Sequence, residues 1–179
     1  MSVIQVHDKF FQPYLTADQI EMQIRRVAGE INRDYKGMRP LFIAILNGSF
    51  MFASDLFKHL DIEAEISFIK LSSYKGTSST GHVVKAIGLL ESLKGRHVII
   101  LEDIVDTGKT LSDFMPQLIE EAPASLKVAA FLHKPEAQSH PLDIHYLGFS
   151  VPNKFLLGYG LDYDGLGRNL KEIYQLVDG

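Results

Sequence analysis

Apolar residues recur at three- and four-residue intervals through Ile20, Ile24, Val27, Ala28 and Ile31 and stop before Gly37, the period of one helical face. Thr16 followed by Gln19 supplies a capping box just ahead of them, so the pattern predicts an amphipathic first helix. The rhythm then changes. Residues 41–46 (LFIAIL) are apolar without alternation, which suits a strand covered on both faces. Asn47-Gly48 supplies a turn and Ser49 a cap for a second helix, about residues 50–60. There Phe50, Ala53, Phe57 and Leu60 share one side, and Met51, Phe52 and Leu56 carry apolar surface around much of the remainder. Such a helix is expected to be deeply buried or covered by a second subunit.

Residues 63–71 read as a strand, whereas residues 72–81 (SSYKGTSSTG) are small, polar and glycine-bearing, the composition expected of a mobile loop. A short strand follows at 83–87, then a Leu-Lys-Gly-Arg turn, then a uniformly apolar strand at 98–101 that is expected to end at Glu102. Residues 126–132 repeat the apolar strand pattern. Strands alternating with helices in this way predict an α/β fold with a parallel sheet and right-handed crossovers.

Composition narrows the picture. A chain of 179 residues, 46% hydrophobic and 22% charged, can bury one continuous core, so a single domain over 1–179 is expected. A net charge of -4 with dispersed lysines and arginines disfavours a broad nucleic-acid surface; any phosphate binding should be local. The absence of cysteine excludes a disulfide framework and a Cys-based zinc site, and the seven histidines show no HExxH spacing. No basic stretch followed by an apolar core opens the chain, and no apolar run approaches the ~20 residues of a membrane span, so a cytoplasmic protein without a membrane partner is expected.

Residues 98–111 (VIILEDIVDTGKTL) carry most of the chemistry: a buried strand, the adjacent acids Glu102 and Asp103, a third acid at Asp106, and a Thr-Gly-Lys-Thr turn opening a helix. In an open α/β sheet, ligands bind beyond the carboxyl ends of the strands, where these polar groups fall. Gly108 lets backbone amides approach an anion, Thr107 and Thr110 add hydroxyl donors, and a helix N-terminus favours negative charge, so the turn should hold a phosphate. Glu102 and Asp103 beside it suit ribose hydroxyls or a hydrated Mg²⁺. An acid pair next to a phosphate implies a sugar phosphate. A Walker A loop would need glycine where Asp103 stands, and the dinucleotide fingerprint begun by Gly158-Tyr-Gly160 would need glycine at Tyr163; neither motif is present.

The run Glu102-Asp-Ile-Val-Asp-Thr-Gly-Lys-Thr110 resembles the phosphoribosyl pyrophosphate signature of type I phosphoribosyltransferases. The resemblance extends to the hypoxanthine-guanine branch of that family through Ile45-Leu-Asn-Gly-Ser-Phe50, Leu71-Ser-Ser-Tyr74, His133-Lys134, Val151-Pro-Asn-Lys-Phe155, Gly158-Tyr159 and Leu161-Asp-Tyr163. It implies a mostly parallel twisted sheet flanked by helices, with a small hood over the base formed by the N- and C-terminal segments and a mobile loop at about 72–82. It also implies a Mg²⁺-dependent transfer of the phosphoribosyl group from phosphoribosyl pyrophosphate to hypoxanthine or guanine, and a homodimer or homotetramer. By the same resemblance Asp106, Thr107, Gly108, Lys109 and Thr110 grip the 5′-phosphate, and Glu102 and Asp103 address the ribose near the metal. Asp106 matches the general acid/base at purine N7, a role that can coexist with capping the following helix. Lys134 would donate to the 6-oxygen, Phe155 would stack on the purine beside Leu156, and Asp162 would lie near the 2-position and reach the metal through water. Arg168 and the Asn47-Gly48 loop match pyrophosphate contacts, with Asn47 in place of a common lysine, and Ser73 and Tyr74 match the pair that closes over the reaction centre. Two other readings share the fold: a transferase preferring xanthine, and a regulatory protein that binds phosphoribosyl pyrophosphate or nucleic acid without catalysis. Pro116, within the helix expected after the phosphate turn, has no functional reading.

Overall fold

The computed structural model of the chain describes residues 2–75 and 82–177, with side chains for all of these but 73–75 and 82–85. In chain order the elements are β1 (Ile4–Val6), β2 (Lys9–Leu15), α1 (Ala17–Asp34), β3 (Leu41–Leu46), α2 (Phe50–Lys58), β4 (Glu65–Lys75) and β5 (His82–Ile87). There follow β6 (His97–Val105), α3 (Lys109–Glu120), β7 (Ser125–His133), β8 (Tyr146–Ser150), β9 (Leu156–Leu157) and β10 (Ile173–Leu176).

The capping box forms as its sequence requires: the Gln19 N–H donates to Thr16 Oγ1 at 3.1 Å and the Thr16 N–H to Gln19 Oε1 at 2.9 Å. Ile20, Ile24, Val27, Ala28 and Ile31 are the buried face of α1. In α2 the buried stripe is Phe52, Ala53 and Leu56 instead, and Phe50 is 41% exposed. An almost uniformly apolar helix does not announce its buried side, and here packing against α1 and the sheet selects it. Ser49 precedes α2 without capping it through its side chain; its hydroxyl donates back to Ile45 O at 2.6 Å.

Six strands form the main sheet in the order β5-β4-β3-β6-β7-β8, parallel except for the antiparallel edge pair β4–β5. Both faces are covered, which explains the unalternating strands. Phe42 and Ala44 of β3 join α1 and α2 in one core, while Leu41, Ile43 and Ile45 join Leu111, Phe114 and Leu118 of α3 in the other. Two boundaries depart from the sequence reading. Residues 72–75, expected in a loop, continue β4 and pair with β5, Ser72 opposite Lys85 and Lys75 opposite His82, because ladder hydrogen bonds need only backbone. The rest of the expected loop, residues 76–81, lies outside the described residues. Likewise β6 runs beyond Glu102 to Val105, held by parallel pairing with β7 as far as His133.

A second, antiparallel sheet of order β1-β2-β10-β9 joins the two ends of the chain. Three of its strands have four residues or fewer and β2 carries Pro13 without regular alternation, so the apolar pattern does not predict them. Among the described residues no helix is long and apolar enough to cross a membrane.

Candidate active site

The chain leaves β3 toward β4 on one side and leaves β6 toward β7 on the other, so the strand order reverses between β3 and β6. A crevice opens at the carboxyl ends of strands at such a point. Here it is a cavity of about 270 Å³ lined by Ile45, Leu46 and Leu71, by Glu102, Ile104 and Val105, and by residues 106–111. Sequence reasoning singled out Glu102 and residues 106–110; it missed the apolar walls, which resemble ordinary core. A larger open hollow of about 780 Å³, around residues 36–39 and 61–63, lies at the opposite ends of β3 and β4 and contains none of the expected site residues.

The turn after β6 opens α3 with Gly108, in the left-handed conformation at φ 77°, as N-cap. Asp106 is therefore not the cap, a correction to the capping role expected for it. A lone helix-opening glycine is braced from below: the Ser139 and His140 N–H groups both donate to Thr107 O at 3.1 Å, and Gln138 ties His133 to the carbonyls of His140 and Leu142. No sequence signal marked this strut. Thr107, Lys109 and Thr110 are exposed, but the Lys109 ammonium pairs with Asp113 one turn along α3, so its backbone is what the turn presents.

Three acids stand in distinct surroundings. Glu102 carries a carboxyl that burial, and after it the neighbouring Asp103, push well above the ordinary range. Asp103 Oδ1 accepts from the Ile104 N–H at 2.8 Å, and its other oxygen lies against Gly48, where an added Cβ would come within 1.6 Å of it. Asp106 is half exposed, with Oδ2 3.2 Å from the ammonium of Lys134. Lys134 itself is buried at 8% exposure, not a surface lysine, and its N–H donates to Val105 O.

The β3–α2 loop connects this crevice to the C-terminal segment. The Leu46–Asn47 peptide is cis, Asn47 is exposed, and Gly48 O lies so close to Gly160 that a Cβ there would stand 2.0 Å from it. Gly160, at φ 97°, is thus required twice, for conformation and for proximity. Arg168 Nη1 donates to Gly160 O at 2.7 Å, and Nη2 meets Asp162 Oδ1 at 2.7 Å. The other Asp162 oxygen accepts from the Gly165 N–H at 2.8 Å. Phe155 is 42% exposed and lies beside Phe11 and Tyr163, whereas Leu156 is buried. Contacts thus join Asp103, Gly48, Gly160, Arg168 and Asp162 in one chain and Asp106 with Lys134 in another. The side chains of Ser73 and Tyr74 lie outside the described residues.

A divalent cation would find few protein ligands: no group of three or more metal-binding side chains assembles among the described residues. Mg²⁺ characteristically takes one or two carboxylates and completes its shell with water and substrate oxygens. Adjacent Glu102 and Asp103 fit that pattern, while Asp162, with protein partners on both oxygens, fits only an outer contact.

The sequence model of the phosphoribosyl transferase domain matches residues 13–164. The hypoxanthine-guanine phosphoribosyltransferase of Streptococcus pneumoniae strain R6 is 39% identical over 157 residues, 87% of each chain. The hypoxanthine-guanine-xanthine phosphoribosyltransferase of Tritrichomonas foetus is 40% identical over 157 residues, 87% of this chain and 86% of that one. The solved structure of a hypoxanthine phosphoribosyltransferase from Staphylococcus aureus gives a TM-score of 0.86 at 37% identity, covering 93% of this chain and 91% of that one. This chain belongs to the phosphoribosyltransferase family, in its hypoxanthine-guanine branch.

Proposed function

We propose that the protein transfers the 5-phosphoribosyl group of phosphoribosyl pyrophosphate to a 6-oxopurine, hypoxanthine or guanine, releasing pyrophosphate in purine salvage. The observation that carries this reading is the buried Lys134 ammonium, 3.2 Å from Asp106 at the mouth of the anion-suited turn. A cation and a carboxylate side by side match the 6-oxygen and N7 edge of an oxopurine, and a 6-amino group would set donor against donor.

Residues 106–110 hold the 5′-phosphate, Glu102 and Asp103 the ribose, and Arg168 with the Asn47-Gly48 loop the diphosphate. As N9 attacks the anomeric carbon, the bond to pyrophosphate breaks with its electron pair, leaving positive charge on the ribose in the transition state. Asp106 takes the N7 proton as the base becomes a nucleotide. Phe155 stacks on the purine, Leu156 backs it, and Asp162 lies toward its 2-position. Glu102 and Asp103, with Asp162 reaching through water, would hold Mg²⁺, which would supply positive charge against that of the leaving diphosphate. A cytoplasmic setting goes with this reading, as does a homodimer or homotetramer, for which the exposed rings of Phe50 and Phe68 offer apolar surface; a monomer in sedimentation would remove that part.

The test is a spectrophotometric assay of purified protein with Mg²⁺, phosphoribosyl pyrophosphate and each of hypoxanthine, guanine, xanthine and adenine. Turnover of hypoxanthine or guanine is expected, with a loss of about 10²-fold or more in kcat for a folded Asp106→Asn variant. Preference for xanthine would favour the second reading, which the similarity to the Tritrichomonas protein supports. No turnover of any base would overturn both.

A further inference from the structure

His7 and Asp8 make the turn between β1 and β2, and three consecutive residues there close on Tyr163, the neighbour of Asp162. The His7 ring meets the Tyr163 ring edge-on at 5.6 Å between centroids, and Asp8 Oδ1 accepts a 2.7 Å hydrogen bond from the Tyr163 hydroxyl. Lys9 Nζ stands 5.3 Å from the same ring, and His7 Nε2 lies 3.3 Å from Asp164 O. On its other side Tyr163 touches Phe155, centroids 5.7 Å apart at 82°, and Phe11 at 6.0 Å. Phe11 and Phe155 are themselves 6.1 Å apart, so the three rings form a closed cluster.

Phe155 lies outside regular structure, just before β9; its backbone is fixed by the Leu176 N–H donating to its carbonyl at 2.9 Å. The orientation of its ring is left to side-chain packing, and Phe11, fully buried, supplies only one of the two rings that bound it. A half-exposed ring with a free rotor loses that freedom when a ligand stacks on it, and a ring already held does not. Tyr163 can hold Phe155 because it is itself held, by the hairpin turn and by its own backbone exchanging hydrogen bonds with Leu166 at 2.8 and 3.1 Å.

We propose that Tyr163, clamped by the N-terminal hairpin turn, is a positioning residue that fixes the Phe155 ring for stacking on the purine. The inference rests on the reading of Phe155 as the stacking ring. The test measures KM for purine and for phosphoribosyl pyrophosphate, with kcat, in Tyr163→Leu, Tyr163→Phe and Phe155→Leu. Tyr163→Leu is expected to raise the purine KM about threefold to tenfold while kcat and the other KM stay within about twofold. Tyr163→Phe, which keeps the ring and loses only the hydroxyl, should restore the purine KM to within about twofold of the parent. A parent-like purine KM in Tyr163→Leu, or equal rises in both KM values, overturns the proposal. Tyr163→Met takes the place of the leucine variant, with the same expectations, if that variant does not fold. Phe155→Leu separates the two ideas: a parent-like purine KM there sinks the stacking role itself, whereas a rise there without one in Tyr163→Leu sinks only the role of Tyr163.

Discussion

Lys134 is buried, while its partner Asp106 has half of its side chain in solvent. A buried ammonium needs a counter-charge, so the lysine depends on the acid more than the reverse. Lys134→Ala consequently leaves no buried charge unpaired, and its main consequence belongs to the ligand. Losing a charged donor to the 6-oxygen is expected to lower kcat/KM for hypoxanthine by about tenfold or more. Activity with adenine should not fall in parallel, so the ratio of the two kcat/KM values is the measurement; an unchanged ratio would count against the role. Residue identity was informative where charge is scarce in apolar surroundings, as at Lys134 and Glu102. It was less so at Gly48, read as a turn and by resemblance a pyrophosphate contact, and at Gly160, read only as part of a discarded fingerprint. What requires them is contact with Asp103 and with each other, between segments more than fifty residues apart in the chain.

The end of α1 is tied to the sheet by the Tyr146 hydroxyl of β8, which donates to Asp34 Oδ2 at 2.8 Å while Lys127 of β7 donates to the tyrosine at 3.2 Å. The bond from Tyr146 is the first cause, ahead of the Arg33 contact and against burial, that lowers the Asp34 pKa below its ordinary 3.8. A carboxylate with a lowered pKa stabilises the fold above its unfolded value, and that contribution is lost as pH falls through the folded value. Tyr146→Phe should therefore cost about 1–2 kcal/mol near neutral pH, and the difference from the parent should shrink below pH 3.8. Urea unfolding at neutral and acid pH reads this; a difference independent of pH would mean that the bond does not depend on ionised Asp34. At this scale α1, β3, β6 and β7 were plain in the apolar period, since their burial follows from local pattern. Helix α2 was found but its buried face was not; β1, β9 and β10 are too short for periodicity to speak, and β2, interrupted by Pro13, shows no sustained alternation. Pro116 sits on the exposed side of α3, and nothing in the structure explains it.

The whole molecule is two sheets joined across the crevice. Gly160 lies against Gly48, and the buried Tyr159 donates to Asp55 of α2 at 2.7 Å, so the C-terminal segment is fastened to the main sheet at its active end. A nucleoside monophosphate would touch both parts at once, with phosphate on the 106–110 turn and base between Lys134 and Phe155. Inosine monophosphate at 100 times its Kd should stabilise the fold by about 2.7 kcal/mol, or roughly 5–10 °C in Tm for a chain of this size. Ribose 5-phosphate at the same concentration should give a smaller shift in differential scanning calorimetry, because no base reaches the second sheet's side. Equal shifts would show that the base adds nothing to binding.

By itself the sequence determined the α/β class, the central strands, and the acid-and-turn segment at residues 102–110, because each is written in contiguous residues whose chemistry is local. Only the tertiary structure decided that Lys134 is buried against Asp106, that Gly160 closes on Gly48, and that an N-terminal turn grips Tyr163. Those pairings join residues 28 to 156 positions apart, and no periodicity or local spacing encodes which distant side chains the folding of two sheets will bring together.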